Sequence, residues 1–182
     1  MRFFDISFSL LGLVLLCPIL LVLLFVVWFD TRSPLFIQER VGRHQRPFVL
    51  VKFRTMRPGR ADVASHLASS TSITRLGALL RRTKLDELPQ LWNVLVGHMS
   101  LVGPRPGLFN QHELTQAREA HGVYSARPGI TGLAQVNGID MSTPELLAQT
   151  DARMLRELTV RSYFKYIFLT ILGKGSGDGV KK

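Results

Sequence analysis

The sequence predicts an α+β chain with a membrane-embedded helix at its N-terminus, then a small β-hairpin and several amphipathic or interfacial helices. Three observations predict it. Residues 6–29 contain no charged side chain and are dominated by Leu, Val, Ile and Phe. Two short runs of β-branched and aromatic residues, 36–41 and 48–53, flank a polar turn. Later segments set apolar residues at helical spacing between proline–glycine loops. A length of 182 residues suits one modest domain, and a charged fraction of 20% excludes a disordered polar chain. The single cysteine, Cys17, excludes an internal disulfide framework and a structural zinc site, and fits a reducing compartment.

Charge is unevenly spread. Residues 1–30 hold only Arg2, Asp5 and Asp30, so the positive excess of the chain, +10 in all, lies beyond them. A basic body seeks polyanions such as nucleic acid, lipid headgroups or phosphorylated small molecules, and the apolar head favours the lipid surface. As a helix, the run 6–29 reaches about 36 Å, enough to cross a hydrocarbon core of about 30 Å. It is too long for a signal-peptide core and no small-residue cleavage site follows, so membrane retention is expected. Pro18 removes a backbone hydrogen bond in mid-run and predicts a kink. Two topologies follow: a kinked spanning helix, or a re-entrant hairpin that enters and leaves by one face. Arg32, Arg40, Arg43 and Arg46 crowd the downstream flank and put the body in the cytoplasm under either. The expected division is 1–30 in the membrane, 31–172 as the body and 173–182 as a flexible glycine-rich tail.

Within the body, residues 42–47 turn the hairpin, and 58–72 read as a small, polar loop. A short helix is expected over 74–82. Leu88, Leu91, Trp92, Leu95 and Val96 fall at i, i+3, i+4, i+7 and i+8, which predicts a helix with one buried stripe. Pro89 belongs in its first turn, placing Asp86 and Glu87 at its N-terminus. A rigid loop over 103–107, a polar helix over 110–121 and a second proline–glycine loop over 127–132 come next. Thr143, Pro144 and Glu145 supply a cap, a first-turn proline and an acid for a last helical region. Near its end Val160, Tyr163, Phe164, Ile167, Phe168 and Ile171 keep helical spacing, and a membrane-interface face and an ordinary core face both fit them.

The residues best suited to chemistry are Asp86 and Glu87. At a helix start the positive end of the macrodipole keeps carboxylates ionised and attracts phosphate, and an ionised aspartate can attack phosphorus to give an acyl phosphate. Plain capping by Asp86 with Glu87 as a first-turn acid is the simpler alternative. Arg105 lies between Pro104 and Pro106, which hold its guanidinium for a forked phosphate contact, and Arg127 before Pro128 has the same character. Lys52 and Arg54 end the second strand. Each cation alone reads as a solvated surface charge, and only their company with the acidic pair points to a phosphate site. Gly173, Gly175, Gly177 and Gly179 have no helix after them, the five histidines lack metal-ligand spacing, and no Walker motif or nucleophile-elbow serine appears.

The runs Gln38-Glu39-Arg40-Val41-Gly42, Lys52-Phe53-Arg54-Thr55-Met56, Lys84-Leu85-Asp86-Glu87-Leu88-Pro89-Gln90, Met99-Ser100-Leu101-Val102-Gly103-Pro104-Arg105-Pro106 and Arg127-Pro128-Gly129-Ile130-Thr131-Gly132-Leu133-Ala134-Gln135 together resemble the bacterial sugar transferase family. These are monotopic polyprenyl-phosphate phosphoglycosyl transferases, and the match is to their minimal catalytic domain. The resemblance implies transfer of a sugar phosphate from a nucleoside-diphosphate sugar, usually a UDP-sugar, to polyprenyl phosphate, with release of the nucleoside monophosphate. It is the initiating membrane step of glycoconjugate or polysaccharide synthesis. It further implies Asp86 as nucleophile, Glu87 as its dyad partner, and Mg²⁺ held at Asp86 and Glu87. Lys52, Arg54, Lys84, Arg105, Arg127 and Gln135 become substrate contacts, and 31–172 becomes a membrane-associated catalytic domain on the cytoplasmic face of the bacterial inner membrane. The family's membrane helix is re-entrant and broken at a proline, which puts the kink at Cys17 and Pro18. Membrane lipid is an expected partner and nucleic acid is not; the oligomeric state stays open, a homo-oligomer included.

Two positions depart from the family pattern. Cys17 stands where a serine usually precedes the proline, which weakens a hydroxyl to a thiol. Tyr163 stands where another acid is expected, and Asp151 is the nearest acid upstream. Two other readings remain: a non-catalytic, membrane-tethered basic module that binds anionic lipid or nucleic acid, and a scaffold of a glycan assembly complex with a degenerate site.

Overall fold

A computed structural model describes residues 1–57 and 72–175 of the chain. All but Ser72 of the loop expected over 58–72, and the tail from 176 on, lie outside the described residues. The architecture is α+β, as expected. In order it runs α1 (Arg2–Leu15), α2 (Cys17–Thr31), β1 (Leu35–Val41), β2 (Pro47–Phe53), α3 (Arg75–Thr83), α4 (Gln90–Leu95), β3 (Ser100–Val102), α5 (His112–Ala120), β4 (Gly129–Thr131), α6 (Leu133–Val136), α7 (Pro144–Glu157) and α8 (Val160–Ile171).

The apolar run is two helices, broken where Pro18 has no N–H to offer Val14. Leu16 is the joint, and Pro18 falls in the first turn of α2, where a missing donor is tolerated. The two axes meet at a bend of 64°. Among the described residues no single helix is long and apolar enough to cross a membrane; only α1 and α2 taken together have that length and composition. The N-terminal turn of α1 is fastened to the body. Arg2 donates to the Val94 and Leu95 carbonyls at 2.6 and 2.9 Å, closing the C-terminal end of α4. Asp5 is buried and accepts from Ser100 Oγ at 2.9 Å, the Leu101 amide at 2.9 Å and Tyr163 Oη at 2.7 Å. Three donors offset the desolvation of a carboxylate that would otherwise be costly.

The expected hairpin is β1 against β2, antiparallel, with Leu35 opposite Phe53 and Val41 opposite Pro47. Its turn passes through His44 and Gln45, both at positive φ. A second sheet, absent from the sequence reading, pairs β3 with β4 in parallel, Ser100 beside Gly129 and Val102 beside Thr131. Each strand has three residues, too short to show an alternation. The pairing depends on glycine: a Cβ on Gly129 would collide with the Gly103 backbone.

Helix α3 starts as expected, with Thr74 Oγ1 accepting the Gly77 amide at 2.8 Å. Helix α4 corrects the expectation. Its buried residues are Gln90, Asn93 and Val94, while Trp92 and Val96 of the apolar stripe are exposed. The cause is Asn93, whose Oδ1 accepts the Val51 amide at 3.1 Å and whose Nδ2 donates to the Val49 carbonyl at 2.7 Å. Strand β2 has an open edge, and these two bonds satisfy it, so the asparagine face turns inward. The last helical region also divides. Thr143 makes no side-chain cap on α7, and Thr159 opens a separate α8 through a capping box with Ser162. Along α8, Tyr163 is fully buried while Phe168 and Ile171 are exposed, so one face packs inward and the other is open.

The largest core, Phe48, Leu50, Val94, Met99, Leu101, Val102, Met154 and Tyr163, lies between the hairpin, α4, β3 and α8. A second joins Val27 of α2 to Phe53 and Leu80, with Leu85 packed beside them. Both cores border the segment 83–91.

Candidate active site

The segment is shaped by Lys84 and Pro89. Lys84 adopts the left-handed conformation at φ 58° and ψ 16°, which ends α3 and turns the chain. Leu85–Glu87 then form a 3₁₀ turn. Pro89 has no N–H, so the Leu85 carbonyl accepts from Leu88 instead, at 3.3 Å. Regular α-helix begins only at Gln90, and Asp86 and Glu87 precede it rather than opening it. The macrodipole of a six-residue helix acts on them only weakly. Burial distinguishes them: Asp86 is 3% exposed and Glu87 8%.

Arg105 reaches the pair. Its Nη2 donates to Glu87 Oε1 at 3.1 Å, with the arginine side chain 28% exposed and the glutamate 10%. The loop that carries it is held from behind. Arg118 donates through Nη1 to the Arg105 carbonyl at 2.8 Å, and through Nε and Nη2 to Asp151 Oδ2 at 3.1 and 2.6 Å. Arg118 and Asp151 are both buried. Burial pushes the Asp151 carboxyl up from its ordinary range, and the Arg118 guanidinium opposes it. Gln135 Nε2 donates to the Gly103 carbonyl at 3.1 Å and pins the start of the same loop.

Beside Glu87 opens a cavity of about 310 Å³. One wall is the segment 83–91, the floor is Leu101, Ile130 and Thr131, and the far wall is Ile167, Thr170 and Ile171 of α8. Lys84 lines it, and burial lowers its ammonium from the usual lysine range; Glu87 opposes that shift and Arg105 adds to it. Lys84 Nζ donates to the Lys174 carbonyl at 2.6 Å.

Of the expected site residues, Lys84, Asp86, Glu87 and Arg105 therefore come together. The others make different contacts. Lys52 and Arg54 lie over the Phe36 ring at 5.3 and 5.6 Å, and Arg54 also donates to the Ser33 and Leu35 carbonyls. Arg127 Nε donates to the Gly97 carbonyl at 2.8 Å. Arg40, expected on the charged flank, is buried and bonds Gln38 and the Pro106 carbonyl. Cys17 is exposed beside the helix break. Tyr163, the missing acid, donates to Asp5 inside the core, and burial first, then Asp5, drives its phenol upward.

Sequence reasoning missed Arg118 and Asp5 as supports. Each left a signal: Arg118 stands four residues from Leu114 on the buried face of α5, and Asp5 interrupts an apolar stretch. Among the described residues no group of three or more His, Cys, Asp or Glu converges. Mg²⁺ needs no such cage, because one or two carboxylates plus substrate phosphates commonly hold it. Asp86 and Glu87 are a fitting donor set of that kind.

The family model for bacterial sugar transferases matches residues 1–174. This chain belongs to the bacterial sugar transferase family. It is an enzyme, a phosphoglycosyl transferase. It is 42% identical over 168 residues to an exopolysaccharide production protein of Rhizobium leguminosarum bv. phaseoli, covering 86% of this chain and 82% of that one. It is 42% identical over 187 residues to an undecaprenyl-phosphate glucose phosphotransferase of Komagataeibacter xylinus, covering 93% of this chain and 35% of the relative. It is 42% identical over 155 residues to a UDP-glucose:undecaprenyl-phosphate glucose-1-phosphate transferase of Caulobacter vibrioides, covering 81% and 58%. This sugar transferase thus spans most of the first relative, about a third of the second and somewhat over half of the third.

Proposed function

We propose that this sugar transferase moves a sugar phosphate from a UDP-sugar to polyprenyl phosphate, releasing UMP, through a covalent intermediate on Asp86. The observation that carries the reading is that Arg105, from its own loop, meets Glu87 at the segment that also carries Lys84 and the buried Asp86. An Asp86 carboxylate oxygen attacks the sugar-bearing phosphorus. The bond from that phosphorus to the bridging oxygen breaks, and UMP leaves with its electron pair. An oxygen of polyprenyl phosphate then attacks the same phosphorus, the bond to Asp86 breaks and the carboxylate is restored.

Arg105 and Lys84 meet the negative charge of the transferring group, and their partial burial strengthens that attraction. Glu87 orients Arg105. Arg54, Arg127 and Gln135 each serve a backbone carbonyl and act by fixing the loops, while Lys52 stays at the hairpin on Phe36. Bound at Asp86 and Glu87, Mg²⁺ supplies neutralisation of the diphosphate. The test is UMP release from a panel of UDP-sugars. It should require polyprenyl phosphate for steady turnover and vanish in Asp86→Asn, whereas a non-catalytic basic module releases none.

The same reading places the enzyme on the cytoplasmic face of the bacterial inner membrane, with residues 1–30 re-entrant. Support comes from the start of α1. A straight span would carry Arg2 and Asp5 away from the body, yet both bond to it. Phe3→Cys in a Cys17→Ser background should resist an impermeant thiol reagent in intact cells; ready labelling would mean a span.

A further inference from the structure

The cavity beside Glu87 is lined mostly by aliphatic side chains. Its walls are Leu85, Leu88, Leu91, Ile130, Ile167 and Ile171. Its threonine hydroxyls are engaged within the protein: Thr83 donates to the Leu79 carbonyl, and one of the Thr131 and Thr170 hydroxyls donates to the other. Of the lining residues, only Lys84 and Glu87 carry charge, and both belong to the segment that bears Asp86. Charge is thus confined to one side of a mostly apolar chamber.

The chamber's other side continues onto the surface. Ile171 lines it yet is 78% exposed, and its neighbours Phe168 and Leu172 are 61% and 63% exposed. An apolar path therefore leads from Glu87 across the end of α8 to open surface. A molecule complementary to this shape has one anionic head and a long apolar chain. Lys84 has capacity for the head, because an ammonium carries three donors and the Lys174 carbonyl takes one.

We propose that this cavity is the acceptor subsite: the isoprene units next to the phosphate of polyprenyl phosphate lie against Leu88, Ile130, Ile167 and Ile171, and the phosphate meets Lys84. The assignment rests on the transfer reaction proposed above and adds where its acceptor sits. Binding there brings the acceptor phosphate to the segment of Asp86 while the rest of the chain leaves over Ile171.

Two variants test it. Ile171→Glu sets a charge at the open end on a side chain that the core does not need, and Ile167→Trp fills the chamber. Each should raise the acceptor KM about tenfold or more, the equivalent of about 1.4 kcal/mol, with the UDP-sugar KM within about twofold of wild type. Unchanged acceptor KM in both variants would overturn the assignment. A polyprenyl phosphate carrying a photoreactive group in its first isoprene unit gives a readout independent of turnover. Label should map to residues 85–91 or 167–171, be suppressed by unlabelled polyprenyl phosphate and survive excess phosphatidic acid. Label elsewhere, or equal suppression by phosphatidic acid, would refute a prenyl-phosphate subsite. Wild-type enzyme that releases no UMP from any UDP-sugar would instead count against the reaction, while the label map still decides the cavity.

Discussion

Two arginine–carboxylate pairs sit one behind the other in this molecule, and they are built for different purposes. Arg118 and Asp151 are 2% and 0% exposed, with two guanidinium nitrogens on one carboxylate oxygen. Arg105 and Glu87 are 28% and 10% exposed and are joined by a bond of 3.1 Å. A hydrogen bond from Arg118 to the Arg105 carbonyl joins the two pairs. The inner pair is a fixed strut, because neither ion has water to return to. The outer pair is partly open to solvent, where a phosphate can reach it. The same residue types thus give rigidity in one place and a binding group in the other, and burial decides which.

The sharpest way to break this comparison is to remove half of the strut. Asp151→Asn leaves Arg118 buried without its counter-charge and should cost about 3–5 kcal/mol in chemical denaturation. Combining Asp151→Leu with Arg118→Met should cost much less than either single change, since no orphan ion remains. Additive losses would mean that the two residues do not act as a pair. Next in size is Tyr163→Phe, which removes one donor from Asp5; about 2 kcal/mol of stability should be lost.

Arg105→Lys should behave in the opposite way to the inner pair. Stability should change by less than about 1 kcal/mol, while kcat/KM falls by about 10²-fold because the fork is lost. A stable variant with full activity would place the phosphate-binding group elsewhere. The smallest effect is expected at the surface pair of His121 and Glu145. The hydrogen bond from His121 holds the Glu145 carboxyl below its ordinary range. A depressed acid contributes stability above its unfolded pKa and loses it as pH falls through the folded one. Glu145→Gln should therefore lower Tm slightly at neutral pH and leave it unchanged in acid.

What was legible in the sequence was local. The hairpin followed from β-branched runs around a polar turn, and the helix break from Pro18. The acidic pair and Arg105 were visible as residues, but their meeting was not, since it joins segments 18 positions apart. Asn93 could not be read as the buried residue of α4, because its partners lie on β2, more than 40 positions away. Arg2 and Asp5 looked like flanking charges of an apolar run, and only contacts to residues 94–101 and 163 reveal them as fastenings. The 3₁₀ turn at Leu85–Glu87 was readable in principle, as the consequence of a proline that withholds its donor from Leu85.

The central claim is that Asp86 carries the sugar phosphate. Incubation with the UDP-sugar that the panel selects, without acceptor, followed by intact-protein mass spectrometry, tests it most directly. The account predicts a mass increase of one sugar phosphate, mapped to the peptide containing Asp86, discharged by polyprenyl phosphate and missing in Asp86→Asn. Undiminished turnover by Asp86→Asn, or an adduct on another residue, would contradict it.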